Sequence, residues 1–286
     1  MSPTCTTRVA GALLIGLALL NPTTSNSEPS PSSRPFAVPT LPLTDEVGFV
    51  RIFDGKSLAG WAGDPTYWRV ENESIVGQVT PTNILEDHNS FLVWTGRRLR
   101  DFELRLEYRI SAEGNGGINY RSESLTSPKE AMRGYQYDID GPNWGGGYGA
   151  LLKKWGFKVP SPDVPGEVVE APANLRATGQ NYDELGRHVL AFPGQMATVG
   201  KGGFSRIEAL FGRGDVVGAV EKQGWNEVRI IARGNQLIHI LNGRIMSIVI
   251  DDDPAERHDE GMIGLQIHMG PPMKVEYRNV RLKVSQ

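Results

Sequence analysis

FELRLEYRI, Phe102 to Ile110, decides the fold. Phe102, Leu104, Leu106, Tyr108 and Ile110 alternate with Glu103, Arg105, Glu107 and Arg109. A period of two sends successive side chains to opposite faces of a strand, so the first set is predicted to face a core and the second water. The pattern recurs outward from here. WRVENESIVGQV, Trp68 to Val79, reads as a hairpin turning at Glu71-Asn72-Glu73. LIHILNGRIMSIVI, Leu237 to Ile250, reads as a second hairpin, with Asn242-Gly243 at the turn because both residues tolerate positive φ. MKVEYRNVRLKV closes the chain as a strand with Val275, Tyr277, Val280, Leu282 and Val284 as its apolar positions. No long stretch keeps a 3.6-residue period. Many short strands without alternating helices predict an all-β fold: an antiparallel two-sheet β-sandwich, of the jelly-roll kind.

Composition bounds the rest. The chain has 286 residues, 39% hydrophobic and 22% charged, which is too apolar for a disordered chain. Its net charge of -3 argues against nucleic acid or an anionic membrane as partner, since both are bound through clustered Lys and Arg. The single Cys excludes a disulfide framework and a cysteine-based zinc site. The 34 Gly and 19 Pro suit a chain of many turns. Arg8 followed by the apolar run Val9–Leu20 reads as a signal peptide over residues 1–25. The run is too short for a bilayer core, which takes about 20 residues, so no stable membrane insertion is expected after cleavage. A Pro/Ser-rich linker is expected over 26–45 and one folded domain over 46–286, in a secreted or periplasmic protein.

Three segments carry an unusual polar face. Gln136, Asp138 and Asp140 lie opposite Tyr135, Tyr137 and Ile139 in GYQYDIDGP. Asn119 and Arg121 alternate with Ile118 and Tyr120 in NGGINYRSE, and Gln266 and His268 with Leu265 and Ile267 in GLQIHMGPP. A sheet with one buried face usually exposes Lys, Glu and Thr on the other. Amides, carboxylates, imidazole and guanidinium suit hydrogen bonding to sugar hydroxyls instead. His239 sits between Leu237 and Leu241 on one strand face, which suits a structural histidine or a site. In NYDELGRHVL, Asp183, Glu184, Arg187 and His188 crowd together, as an ion-pair corner or part of a site. Trp144 to Gly203 breaks the alternation, and reads as either a solvated insertion or a wall offering Trp144, Tyr148 and Trp155 for stacking. No HExxH, GxSxG, P-loop or dinucleotide fingerprint is present.

FVRIFDGKSLAGW, WRVENESIVG, DFELRLEYRI, NGGINYRSE, GYQYDID, NYDELGRHVL, GWNEVRIIARGNQLIHILNGRIMSIVIDDD and GMIGLQIHMGPPMKVEYRNVRLK follow one another from about Val47 to Lys283. In this order they resemble the 3-keto-disaccharide hydrolase family, with its concanavalin A-like sandwich. The resemblance implies cleavage of 3-keto-glycosides. The carbonyl acidifies the C2 hydrogen, a base removes it, an enolate forms, and the C1 oxygen leaves; water addition then gives net hydrolysis. Such a site needs a base near C2, a donor at the C3 oxygen and an acid at the leaving oxygen. On this resemblance Asp138 is expected as base, Arg121 with His268 at the enolate, and His239 or Asp140 at the leaving group. Gln136, Gln266 and Tyr182 would orient hydroxyls, with Asn119, Glu184, Arg187, Trp144 and Tyr148 as further substrate contacts. Asp138, Asp140, His239 and His268 are also permissible ligands for a divalent cation, which would stabilise an enolate. A sugar 3-oxidoreductase would have to supply the substrate.

Two other readings belong to the same fold. Laminarinase-like glycosidases place E-x-D-x-E on a strand, whereas the register here is Gln136-Tyr137-Asp138-Ile139-Asp140. An amide cannot form the covalent glycosyl intermediate. A non-catalytic carbohydrate-binding module would use the same hydroxyl-reading side chains, but does not require Asp138, Asp140, His239 and His268 to converge.

Overall fold

The computed structural model describes residues 47–126, 129–144, 153, 158–160, 168–170, 175–210 and 216–285. The expected signal peptide and linker, and the expected stacking residues Tyr148 and Trp155, lie outside them. Strands follow in chain order: β1 (Val50–Arg51), β2 (Trp61–Ala62), β3 (Trp68–Glu71), β4 (Ser74–Val79), β5 (Ser90–Trp94), β6 (Phe102–Ile110) and β7 (Asn115–Thr126). Then come β8 (Lys129–Asp140), β9 (Lys158–Pro160), β10 (Val168–Glu170), β11 (Asn181–Glu184), β12 (His188–Ala191), β13 (Gln195–Gly200) and β14 (Gly203–Ala209). A single-turn helix α1 (Val216–Val220) precedes β15 (Asn226–Arg233), β16 (Gln236–Leu241), β17 (Arg244–Asp251), β18 (Met262–Ile267) and β19 (Met273–Val284).

The strands form the expected sandwich. One sheet runs β14-β13-β17-β16-β15-β6-β19-β4-β3, with β1 on β19; the other runs β12-β11-β8-β7-β18-β5-β2. Pairing within them is antiparallel except between β13 and β17. Leu104, Leu106 and Tyr108 of the first sheet share one buried core with Ile118, Tyr135, Tyr137 and Leu265 of the second. Each such side chain contributes about 1.5–3 kcal/mol by leaving water. Both predicted hairpins form. Asn72 and Glu73 (φ 46° and 57°) turn the first, and Asn242 and Gly243 (φ 48° and 81°) the second.

Two expectations fail. Arg105 does not face water: it is 1% exposed, roofed by the Phe49 ring 4.3 Å from its guanidinium and bonded to Glu103. Trp144 to Gly203 is not loop throughout, because β11, β12 and β13 fall inside it. The inward residues Asn181 and Asp183 of β11 are polar, so the hydrophobic alternation that reveals a strand is missing.

The seven-stranded sheet curls over its own outer face. At a register shift after Tyr120, the β7–β8 hairpin bends, and Arg121 takes the left-handed conformation (φ 47°). Ala131 and Met132 then pack against Phe91 and Val93, across the two intervening strands. Gly264 leaves room for this, since a Cβ there would lie 2.2 Å from the Met132 sulfur. The outer face of the sheet beside this curl, away from the core, is the candidate hollow.

Candidate active site

Asp138 anchors the hollow. Tyr137 and Ile139 point into the core, so Gln136 and Asp138 point out of it. Gln136 Nε2 donates to Asp138 Oδ1 at 2.5 Å, and Gln180 Nε2 donates to Asp138 Oδ2. Gln266 Nε2 donates to Gln136 Oε1 at 3.1 Å, which extends the chain of amides to β18. Gly117 makes this possible: a Cβ there would stand 2.6 Å from the Gln136 side-chain amide.

Among the described residues Asp138 has amide hydrogen-bond partners and no cationic one. Burial raises its pKa to about 8; the two amide donors pull the other way, and the charges of Glu184 and Asp140 add to the rise. Glu184 lies on β11, which pairs with β8 so that Tyr182 is opposite Gln136 and Glu184 opposite Gly134. Asn181 and Asp183 are buried and bond inward, so Tyr182 and Glu184 take the hollow side. Burial lifts the Glu184 carboxyl to about 7 against the pull of the Asn89 amide. Asn89 also accepts from the Met269 backbone N–H at 3.0 Å, and lines a cavity of about 320 Å³ with Asp64, Tyr67, His88 and Ser90.

His268 follows Gln266 on the same side of β18, with the Trp144 ring 5.3 Å away. Its Nδ1 is 2.5 Å from the Met269 carbonyl, which can only accept. Burial lowers its pKa, so the neutral ring carries its proton on Nδ1 and keeps Nε2 as an acceptor. Open hydrogen-bonding capacity remains. Among the described residues, buried Asn119 Nδ2 and Oδ1, Gln180 Oε1 and Trp144 Nε1 have no partner. Buried polar atoms are nearly always paired, so such a concentration is notable beside a hollow.

The hollow therefore gathers Asp138, Gln136, Gln266, Asn119, Tyr182 and Glu184, with His268 and Trp144 at its β18 side. The remaining expected site residues lie elsewhere. Arg121 is turned away by the left-handed bulge and is buried at the sandwich end. It donates to the carbonyls of Arg100 (2.7 Å) and Gly234 (2.8 Å) and to Asp101 (3.1 Å). It is not placed to meet an enolate in the hollow.

His239 faces the core, fully buried, and burial lowers its pKa to about 3. Its Nδ1 donates to the Gln180 carbonyl at 3.0 Å, and its Nε2 lies 2.8 Å from the Tyr120 hydroxyl. Asp140 accepts from the backbone N–H groups of Ala177 (3.1 Å) and Thr178 (2.9 Å) and pairs with Arg176. Both instead bond to the turn 176–180, and that turn delivers Gln180 to Asp138.

Arg187 is also outside the hollow. It pairs with Asp183 at 2.8 Å and with Asp251 at 2.6 Å, beside His258, whose Nε2 is 2.9 Å from Asp183. The crowded segment thus divides by strand alternation: Asp183 and Arg187 form an ion-pair corner, and Glu184 joins the hollow. The four residues named as permissible metal ligands are dispersed by the same facts. Among the described residues no three His, Cys, Asp or Glu side chains form a group that could hold a metal ion.

Sequence reasoning missed Gln180 and Asn89. Each stands just before its strand, outside any alternating pattern, and only Gln180's position one residue ahead of NYDE hinted at it.

The chain belongs to the family of the 3-keto-alpha-glucoside-1,2-lyase-like domain, whose sequence pattern matches residues 48–283. A 3-keto-disaccharide hydrolase of Bacteroides thetaiotaomicron is 32% identical over 92 residues, covering 30% of this chain and 31% of that protein. The chain therefore aligns with under a third of that relative's length. Among solved structures, a proposed glycosyl hydrolase of Parabacteroides distasonis is 16% identical with a TM-score of 0.49, over 84% of this chain and 94% of that one. The carbohydrate-binding module CBM66 of Bacillus subtilis is 17% identical with a TM-score of 0.41, over 78% and 95%. Among the described residues no helix is long and apolar enough to cross a membrane.

Proposed function

We propose that this protein cleaves the glycosidic bond of 3-keto-glycosides by proton abstraction and elimination, with water addition completing a net hydrolysis. The observation that carries the reading is Asp138: a buried carboxyl on the hollow face, oriented by two amides, whose pKa burial raises to about 8. A carbon acid next to a ketone needs a base stronger than an ordinary carboxylate, and burial among neutral groups makes one. Asp138 takes the C2 proton. With Arg121 committed elsewhere and His268 an acceptor, the Asn119 amide is the group we assign to the enolate oxygen. Gln266, Tyr182 and His268 read hydroxyls.

The family match supports this chemistry, and a buried carboxyl of raised proton affinity suits a proton-transfer role. Export through the N-terminal segment, and supply of the substrate by an enzyme that oxidises a sugar C3 hydroxyl, complete the proposal. The test is direct. Incubation with a 3-keto-disaccharide is expected to release monosaccharide, and the unoxidised disaccharide to survive. Asp138→Asn is expected to abolish release. Saturable binding without release from either sugar would instead mark a carbohydrate-binding module.

A further inference from the structure

We infer that Glu184 is the acid that protonates the departing C1 oxygen, a role that rests on the elimination reading above. His239 and Asp140, expected there from sequence, are engaged in hydrogen bonds to the 176–180 turn. Among the described residues of the hollow, Glu184 is the carboxyl other than Asp138. It lies on β11, the strand paired with β8, on the same side of the sheet as Tyr182 and Gln136. Its neighbour Asn89 also walls the cavity of about 320 Å³, a volume at the lower end of those that hold small ligands. Glu184 thus lies on the strand beside that of the base, with a partner, Asn89, that borders a space for the leaving group.

The step balances. The C2–H bond breaks and its proton goes to the Asp138 carboxylate. The C–H electron pair forms the C1–C2 double bond by way of the enolate. The C1–O bond breaks, and the oxygen takes the Glu184 proton. The products are an unsaturated 3-keto sugar and a neutral alcohol, with Asp138 protonated and Glu184 ionised. Burial keeps Glu184 protonated to about pH 7, far above an exposed glutamate.

The test varies the leaving group. Wild type and Glu184→Gln are compared on a methyl and a 4-nitrophenyl 3-keto-glucoside, with circular dichroism and melting temperature as checks on folding. An alkoxide needs a proton to leave and a nitrophenolate does not. Removing a general acid is therefore expected to cost at least ~100-fold on the methyl glycoside and only a few-fold on the nitrophenyl one. The alkaline fall in wild-type kcat/KM is expected to vanish in the variant. If Glu184→Gln does not fold, Glu184→Asp is used, with the same contrast expected between substrates. Equal losses on both substrates overturn the role of Glu184 while leaving the elimination reading intact. A folded wild type that cleaves neither substrate overturns that reading, and this one with it.

Discussion

Asp138 and Asp183 are both buried aspartates, on neighbouring strands of one sheet, yet their chemistry is opposite. Asp183 is also desolvated, but His258 and Arg187 outweigh that cost and lower its pKa. Asp138 meets amides, which offset burial only in part, and it is raised to about 8. Full ionic compensation makes an inert structural acid; partial, neutral compensation leaves a group able to exchange protons near neutrality. The geometry behind this is strand alternation: Asp183 points to the ion-pair corner, Asp138 to the hollow.

The largest test of the contrast is Asp138→Asn. We expect a loss in turnover of at least ~10³-fold on a 3-keto-glucoside, with unfolding made harder, not easier, in alkali. A carboxyl whose folded pKa lies above its unfolded value destabilises the fold once ionised. Its contribution is favourable at low pH and is lost as pH rises from about 4 to about 8. The melting temperature of Asp138→Asn should therefore exceed wild type at pH 9 and approach it at pH 4. A lower melting temperature at pH 9 would break the comparison.

Asp183→Asn should do the reverse, lowering stability at pH 7 by about 3–5 kcal/mol because it leaves Arg187 and His258 short of a buried partner. Asp183 has a lowered pKa, so its contribution is present above pH 3.8 and disappears as pH falls through the folded value. Denaturant titrations at pH 7 and pH 3 should show the gap closing in acid. Turnover per folded molecule should stay near wild type.

Gln180→Ala sharpens the picture. Losing one amide donor raises the proton affinity of Asp138, so the acid limb of kcat/KM should move to higher pH, with roughly tenfold less activity at pH 7. The smallest effect is expected for Arg121→Lys: kcat unchanged and the fold weakened by about 1–3 kcal/mol, since an ammonium cannot satisfy the same set of carbonyls. A collapse of kcat at unchanged melting temperature would return Arg121 to the reaction.

The sequence by itself determined the sandwich. Alternation in Phe102–Ile110, and turns at Asn72-Glu73 and Asn242-Gly243, are local signals obeyed locally. It also marked Gln136, Asp138 and Gln266, because a polar face opposite a core face survives in any flat register. Only the tertiary structure decided which polar residues meet. One left-handed residue in a bulge removed Arg121, and the curl of β7 and β8 brought Glu184 toward Asn89. Turn 176–180, braced by Asp140 and His239, delivered Gln180 to Asp138. Alternation fixes a side chain's face over a few residues, whereas a bulge or bend re-aims whole strands and is encoded in contacts far apart in the chain.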